Sequence, residues 1–309
     1  MASSRQLKSK IRTVGNIKQI TRAMQMVSAT KMRKAQEVAL RARPFAKKTL
    51  SLLSAISVIA SEDKEQSIFL KERTQGKVCL IVVTSDKGLA GSFNGQVLRL
   101  AGQWIDAKEE EIDIVAVGKK GRDFFLRRGV TPVAEFFAFS DIVTLHDVAP
   151  VSDWIIDAYE KGMYRKVMIA STAFISSLVQ KPGVHKILPL DLQELKEMVE
   201  NIVPKTGKYS EWKEKEGMES NASLQILEPN PMAIMETLVR GLLQVEMLHF
   251  ILESNASEHS SRMIAMKNAT ENATSVQEEL GLKLNKERQA TITQELTEIS
   301  TAKEALNAQ

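Results

Sequence analysis

The sequence predicts an α/β domain, with a mostly parallel sheet, inserted between two long helices that pair as an antiparallel coiled coil. Three observations lead to this fold class. The first 60 residues carry a helical apolar stripe, and the last 80 carry a heptad pattern. Between them, short apolar runs alternate with helical segments, which is the pattern of an α/β sheet.

The N-terminal helix is predicted from Leu7 to about residue 60. Gly15 is the first glycine and Pro44 the first proline in the chain, so few residues interrupt the pattern. The stripe consists of Leu7, Ile11, Val14, Ile17, Ile20, Met24 and Val27. We therefore assign residues 1–60 to a coiled-coil helix that Pro44 can kink.

The middle of the chain, residues 75–222, is assigned to the α/β domain. Continuous apolar runs at 77–85, 111–118 and 166–172 predict buried strands, and 184–190 predicts a last one. Helices are predicted at 93–108, 119–128 and 149–162. The segment 191–222 is rich in Lys, Glu, Gly and Ser, and we interpret it as an exposed excursion.

The C-terminal helix is assigned to residues 228–309. Its apolar positions alternate in steps of three and four: Met235, Leu238, Leu242, Val245, His249, Leu252, Ala256, His259, Met263 and Met266. A seam of this kind requires a partner, and the N-terminal stripe is the obvious one. Because the C-terminal helix is predicted to be longer, we expect part of a helix to protrude or to contact another protein.

Charge divides the chain into a basic arm and an acidic body. Residues 1–48 hold 13 Lys and Arg against the single acid Glu37, whereas the whole chain has a net charge of only +4. Such an arm indicates an acidic partner surface, either a nucleic acid or a protein. The arm has no aromatic residue before Phe45 to stack on bases.

The residues offer little sign of catalysis or of a bound cofactor. The segment Ser85–Gly95 follows a strand and opens a helix, as phosphate loops do, but it lacks the spacing of a P-loop or of a dinucleotide fingerprint. The four histidines have no metal-ligand spacing, and His249 and His259 are interpreted as polar insertions in the seam. Cys79 is expected to be an inert core residue. No secretion signal or membrane span is predicted.

Two long motifs lie near the ends of the chain, KQITRAMQMVSATKMRKAQ at residues 18–36 and RQATITQELTEI at residues 288–299. Shorter motifs are SDKGLAG at 85–91, EPNP at 228–231, ESNASE at 253–258 and RMIAMKNAT at 262–270. Together these motifs give the chain a resemblance to the gamma subunit of F-type ATP synthase. The resemblance covers essentially the whole chain, although Ala90 stands where many family members have cysteine.

The resemblance implies a non-catalytic rotor subunit without cofactor or metal. In that family, the paired helices form a shaft, present in one copy, inside a hexamer of alpha and beta subunits. The α/β domain lies at the foot beside the epsilon subunit and the membrane rotor ring, on the cytoplasmic face of the bacterial inner membrane. The family's rotor–stator coupling residues correspond here to Met24, Arg33, Lys34, Arg288, Gln289, Thr293, Glu295, Thr297 and Glu298.

Two other classes of function are weighed against the rotor. A coiled-coil nucleic-acid-binding or scaffold protein would use the basic arm, and its binding would depend strongly on salt. An α/β enzyme would use the turn at 85–95 to bind a nucleotide. Neither class requires the polar motif at 288–299, and for that reason the rotor is the preferred hypothesis, with no nucleic acid among its expected partners.

Overall fold

A computed structural model describes residues 4–62, 68–139, 143–190 and 231–307. The elements it describes are, in order, α1 (Ser4–Glu62), β1 (Lys77–Val83), α2 (Phe93–Asp106), β2 (Ile112–Val117), α3 (Lys119–Arg127), β3 (Ala134–Phe136), α4 (Leu145–Glu160), β4 (Tyr164–Phe174), β5 (Gln180–Leu188) and α5 (Pro231–Asn307). This confirms the predicted fold class. The excursion predicted at 191–222 lies outside the described residues.

The five strands form one sheet in the order β3-β2-β1-β4-β5. β1 pairs in parallel with both β2 and β4, and β3 pairs in parallel with β2. Only the β4–β5 pair is antiparallel, because a hairpin joins these two strands. The sheet is therefore mostly parallel, as the alternation of strands and helices predicts.

The sheet is buried on both faces, as parallel sheets with helical crossovers usually are. Leu80 and Val82 of β1 pack with α2, α3 and Ile114 of β2. Cys79, Ile81 and Val83 belong to the other cluster, with α4 and the Val239–Ala256 part of α5. The alternation explains why the run at 77–85 is apolar at every position.

Cys79 has no accessible surface, and burial raises the pKa of its thiol. A thiol that resists ionisation is a poor nucleophile. This agrees with the expectation that Cys79 is an inert core residue.

α4 begins earlier than the sequence predicts. The helix starts at Leu145 rather than near residue 149, and Pro150 lies within it. The backbone N–H of Thr144 donates to the Asp147 carboxylate at 2.8 Å, an arrangement that stabilises a helix start. This capping pair was the sequence signal for the true beginning of the helix.

The chain divides into two compact units. One consists of Met1–Val27 and Met263–Gln309, and the other of Ser28–Arg262. The first unit is built from the two ends of the chain, and the second holds the sheet and its helices. Each long helix therefore contributes to both units. In the described part of the chain, no helix is long and apolar enough to cross a membrane.

In the first unit the two helices pair in antiparallel register. The hydroxyls of Thr21 and Thr270 are 2.7 Å apart and share a hydrogen bond. Gly15 faces Gln277, whose Nε2 would lie 3.5 Å from a Cβ added at the glycine. A lower number on α1 therefore matches a higher number on α5, which confirms the predicted antiparallel pairing.

The apolar stripe predicted for α1 is wrong at three of its last four positions. Ile17, Ile20 and Val27 are 47%, 59% and 53% exposed, whereas Thr21 is buried. The buried and half-buried positions instead include a heptad series, with Gly15 and Met24 half-buried beside it: Leu7, Ile11, Val14, Lys18, Thr21 and Gln25. Each step of three residues rotates about 60° in the same sense, so the two steps from Val14 through Ile17 carry Ile20 about 120° around the helix. The isoleucines consequently lie outside the seam.

Candidate functional site

The expected coupling residues on α1 lie in two environments. Met24 is half-buried on the helix, while Arg33 and Lys34 are exposed. Neither Arg33 nor Lys34 has a hydrogen-bond or ion-pair partner among the described residues. Two adjacent cations that are left in solvent by their own fold are available to an acidic partner.

The expected coupling residues on α5 all lie on its exposed end. Every side chain from residue 288 to 302 is exposed. The hydroxyls of Thr293 and Thr297 donate to the carbonyls four residues earlier, at 3.0 and 2.8 Å, and Gln294 Nε2 donates to Glu298 Oε1 at 2.9 Å. The side chains of Arg288, Gln289 and Glu295 make no hydrogen bond within the described residues. Their polar groups are free to meet another chain.

The same end of α5 carries an apolar stripe that its own chain leaves uncovered. Ile292, Leu296 and Ile299 are 44%, 63% and 66% exposed. Their spacing of four and three residues places them on one face of the helix. A continuous exposed stripe on a soluble helix is typical of a surface that binds another protein.

The turn at 85–95 is filled by the chain's own groups. Asp86 accepts from the backbone N–H of Lys119 at 3.0 Å and from that of Ala138 at 2.9 Å. Lys119 is the first residue of α3, so the Asp86 carboxylate lies at the N-terminus of that helix. The helix that the turn itself opens is α2. Asn94 and Ser85 tie the two ends of the turn through bonds of 2.7 and 3.0 Å.

Arg262 holds the middle of this turn and was not identified as a functional residue from the sequence. Its guanidinium donates to the carbonyls of Lys87 and Gly88 at 3.2–3.4 Å and pairs with Glu258 at 2.7 Å. Arg262 is only 8% exposed. Burial raises the pKa of Glu258, and Arg262 opposes that rise. The spacing of Glu258 and Arg262, four residues apart on a helix, was the available signal.

The comparisons with known proteins cover the whole chain. A family model described as ATP synthase matches residues 3–306. The ATP synthase gamma chain of Roseiflexus sp. (strain RS-1) is 37% identical over 309 residues, with 99% of each chain covered. The chain belongs to the ATP synthase gamma chain family. The gamma chain of Chloroflexus aurantiacus (strain ATCC 29366 / DSM 635 / J-10-fl) is 35% identical over 312 residues, with both chains fully covered.

Solved structures similar to this gamma chain have the same fold. A chain of the Euglena gracilis mitochondrial ATP synthase (OSCP/F1/c-ring) matches with a TM-score of 0.64 and 18% identity, covering 99% of this chain and 95% of that one. A chain of the Tetrahymena thermophila mitochondrial ATP synthase (central stalk and c-ring) matches with a TM-score of 0.56 and 21% identity, covering 81% and 99%.

An ATP synthase gamma chain is a non-catalytic subunit, and the geometry of the turn at 85–95 fits that role. In that turn the Asp86 carboxylate accepts the backbone N–H groups of Lys119 and Ala138. The described residues contain no group of His, Cys, Asp and Glu that could hold a metal ion. The comparisons support the rotor hypothesis and not the nucleic-acid or scaffold alternative.

The seam residue His249 is buried and lies beside a partly exposed acid on the same helix. His249 Nε2 lies 3.6 Å from Glu253 Oε1. Burial lowers the pKa of His249 to about 4 and raises that of Glu253 to about 8. Both shifts favour the uncharged forms of the two groups. His249 is a packed polar insertion, as the seam position predicts.

The Glu253 pKa leads to a pH prediction. Because the folded pKa lies above the ordinary value of 4.5, the unfolded chain ionises first, and stability falls as the pH rises towards 8. The opposite effect of His249 is confined below its ordinary pKa of 6.5. The native chain should therefore lose stability between pH 6.5 and 8, whereas Glu253→Gln should not. We expect the free energy of unfolding of the variant to rise by roughly 2 kcal/mol relative to that of the native chain over this interval.

Urea unfolding at pH 6.5 and 8 measures this difference. Glu278→Gln is the matched control, since Glu278 is an exposed acid on the same helix. Equal pH dependence of the Glu253→Gln variant and the native chain would show that Glu253 is ionised in the folded state.

Proposed function

We propose that this chain is the central-stalk rotor of an F-type ATP synthase and transmits torque between ion flow through the membrane ring and the catalytic beta subunits. The observation that carries the proposal is the uncovered end of α5. A polar cluster and an apolar stripe occupy one helix end that its own chain does not cover. The fold has no catalytic use for this surface, whereas a shaft that turns inside a ring of subunits needs it.

The mechanism rests on different contacts in different orientations. As the shaft turns, each beta subunit meets a different face of it, so a different conformation of each nucleotide site is stabilised. The shaft itself performs no chemistry. Its contribution is the difference in contact free energy between orientations.

Two groups of residues are proposed to make these contacts. Met24, Arg33 and Lys34 meet acidic loops of the beta subunits, a role that fits the exposed cations on α1. Arg288, Gln289, Thr293, Glu295, Thr297 and Glu298 meet a second beta-subunit loop. Charged residues of both signs at this end of α5 favour a polar partner surface with matched charges.

The proposed assembly contains one copy of this chain. The alpha and beta subunits form a hexamer around the shaft, and the epsilon subunit and the membrane rotor ring lie at its foot. The complex is bound to the membrane through that ring. The chain is consequently a peripheral protein, which we place on the cytoplasmic face of the bacterial inner membrane.

Recovery of the intact complex tests the proposal. A tag inserted near Lys208 would be used to purify the chain from gently solubilised source membranes, followed by mass spectrometry of the intact assembly. We expect three alpha, three beta and one copy of this chain. Isolation of the chain alone, or with nucleic acid, would contradict the rotor function.

A substitution at Met24 tests the proposed contact on α1. Met24→Lys is expected to lower the number of ions pumped per ATP hydrolysed while the complex still assembles, because it adds a charge where the shaft passes the beta subunits. Ala23→Lys is the control, since it adds the same charge at the neighbouring exposed position. Pumping per ATP that equals the native value in Met24→Lys would rule out this role for Met24.

A further inference from the structure

A short segment of α5, residues 254–262, binds the edge of the sheet through directional polar contacts. Ser254 Oγ accepts from the backbone N–H of Thr172 at 3.2 Å. Ser257 Oγ donates to the carbonyl of the same residue, also at 3.2 Å. Both serines are buried, with 1% and 0% of their surface exposed. One residue near the end of β4 is thus held through both of its backbone groups.

The next turn of α5 holds the β4–β5 hairpin. Ser260 Oγ donates to the carbonyl of Ser177 at 2.6 Å, and Ser261 Oγ donates to Gln180 Oε1 at 3.1 Å. Gln180 Nε2 in turn donates to the carbonyls of Ser176 and Ser177 within the hairpin. The helix therefore contacts the hairpin connection directly and through one glutamine that spans it.

Arg262 completes the segment by holding the turn that follows β1. Its guanidinium reaches two successive carbonyls, those of Lys87 and Gly88. Leu89 comes next, with a φ of 64° and 64% of its surface exposed. A left-handed leucine is strained by about 1–2 kcal/mol and persists only where its surroundings hold it. The arginine fork and the bonds of Asp86 supply that restraint.

We propose that residues 254–262 form a clamp that fixes the angle of the sheet relative to the axis of α5. Within this clamp, Arg262 is the residue that positions the turn at 85–91. Apolar packing is non-directional and permits a sheet to slide or rotate on a helix, whereas hydrogen bonds fix its angle. The serines are short enough to reach the sheet backbone. The inference rests on the proposed rotor function, in which a loosely held domain would absorb torque.

Charge neutralisation of Glu258 is the simpler role that Arg262 could have. The two roles separate by substitution. Arg262→Lys keeps a cation beside Glu258 but loses the planar fork that reaches both carbonyls, whereas Arg262→Gln loses the charge as well. If Arg262 acts as part of a clamp, the planar fork is required, and Arg262→Lys should not hold the turn. If Arg262 only neutralises Glu258, a cation is sufficient, and Arg262→Lys should behave as the native chain does.

The test measures amide exchange over residues 85–95 and at Lys119, together with the ions pumped per ATP in the assembled complex. We expect both Arg262 variants to speed exchange at Ser85 and Lys119 about tenfold, the size expected for losing hydrogen bonds from a charged donor. We also expect both to lower pumping per ATP without loss of assembly. Lys283→Gln is the control, because Lys283 pairs with Glu279 in the same spacing on the exposed part of α5.

Native exchange or native pumping in Arg262→Lys would overturn the proposal, as would faster exchange with unchanged pumping in both variants. Failure of the rotor function itself is distinguishable from these outcomes. In that case the native chain would not assemble or pump, while the exchange difference between native and variant chains would still be measurable in the isolated full-length protein.

Discussion

A chain that ends after residue 287 is expected to keep its folded stability and to lose coupled ion pumping. Every described side chain of the removed segment, from 288 to 302, is exposed, so the removal of these residues takes away no buried contact. Surface changes of this kind usually alter the free energy of unfolding by less than about 0.5 kcal/mol. The same residues hold the proposed contact with the beta subunits, so the loss should fall on function.

The antiparallel register explains why residue 287 is the boundary. Gly15 faces Gln277, and eleven residues separate Gly15 from Ser4, the first residue of α1. α1 therefore begins opposite about residue 288 of α5. The remainder, to Asn307, extends roughly 30 Å at 1.5 Å per residue. This is the protruding helix end that the unequal helix lengths predict.

Thermal unfolding of the isolated chain and ATP-driven pumping by the complex measure the two expectations separately. A chain that ends after residue 302 is the control, because it keeps the polar cluster and all of the apolar stripe. It should pump as the native complex does. A marked fall in melting temperature for the chain ending at 287 would mean that the segment stabilises the fold, and native pumping would mean that the cluster makes no coupling contact.

The sequence predicts the long helices and the central strands well because their signals are local and repeated. Heptad steps identify α5, and the apolar run at 77–85 identifies β1. The α1 seam is harder to predict, because the polar residues Lys18, Thr21 and Gln25 occupy it. Ile17 and Ile20, by contrast, are exposed. Apolar content alone assigns those positions the wrong way round, because a shaft that binds partners displays apolar residues on its outer face as well.

The candidate site also contains residues that the sequence identifies and residues that it does not. The exposed end of α5 is recognisable from its continuous polar motif, which is local in sequence. The role of Arg262 is not, because the carbonyls of Lys87 and Gly88 lie 174 or more positions away along the chain. β3 is missed for a different reason. It has only three residues, too few for a period of two to be distinguished.

Gly118→Ala is expected to destabilise the α/β unit by about 4 kcal/mol, the combined cost of backbone strain and a severe overlap. Gly118 joins β2 to α3 with a φ of 98°, a conformation that side chains rarely adopt. A Cβ there would lie 2.1 Å from the carbonyl oxygen of Thr84 and 2.7 Å from its Oγ1. Neither the carbonyl nor the glycine can move freely, because Thr84 N–H donates to Val117 and Gly118 N–H donates to Phe136.

Alanine substitutions at two other glycines separate the backbone strain from the steric overlap in the destabilisation expected for Gly118→Ala. Gly129 has a φ of 77° but open space around it, so Gly129→Ala should show only the backbone term of about 1 kcal/mol. Gly88 has neither a positive φ nor a close neighbour, so its alanine variant should lose least. Urea unfolding of the three variants measures the order. A Gly118→Ala variant no less stable than Gly129→Ala would show that the junction can relax.

A second substitution identifies the atom responsible. Thr84→Ala removes Oγ1, which donates to the Val117 carbonyl and accepts from the Gly121 N–H, but leaves the backbone carbonyl in place. Because the shorter of the two overlaps is with that carbonyl, the Thr84→Ala/Gly118→Ala double variant should not regain stability. Recovery in the double variant would instead place the clash at the hydroxyl. The requirement for glycine at position 118 therefore comes from the backbone carbonyl of Thr84, the residue that follows β1, and no change of the Thr84 side chain can relieve it.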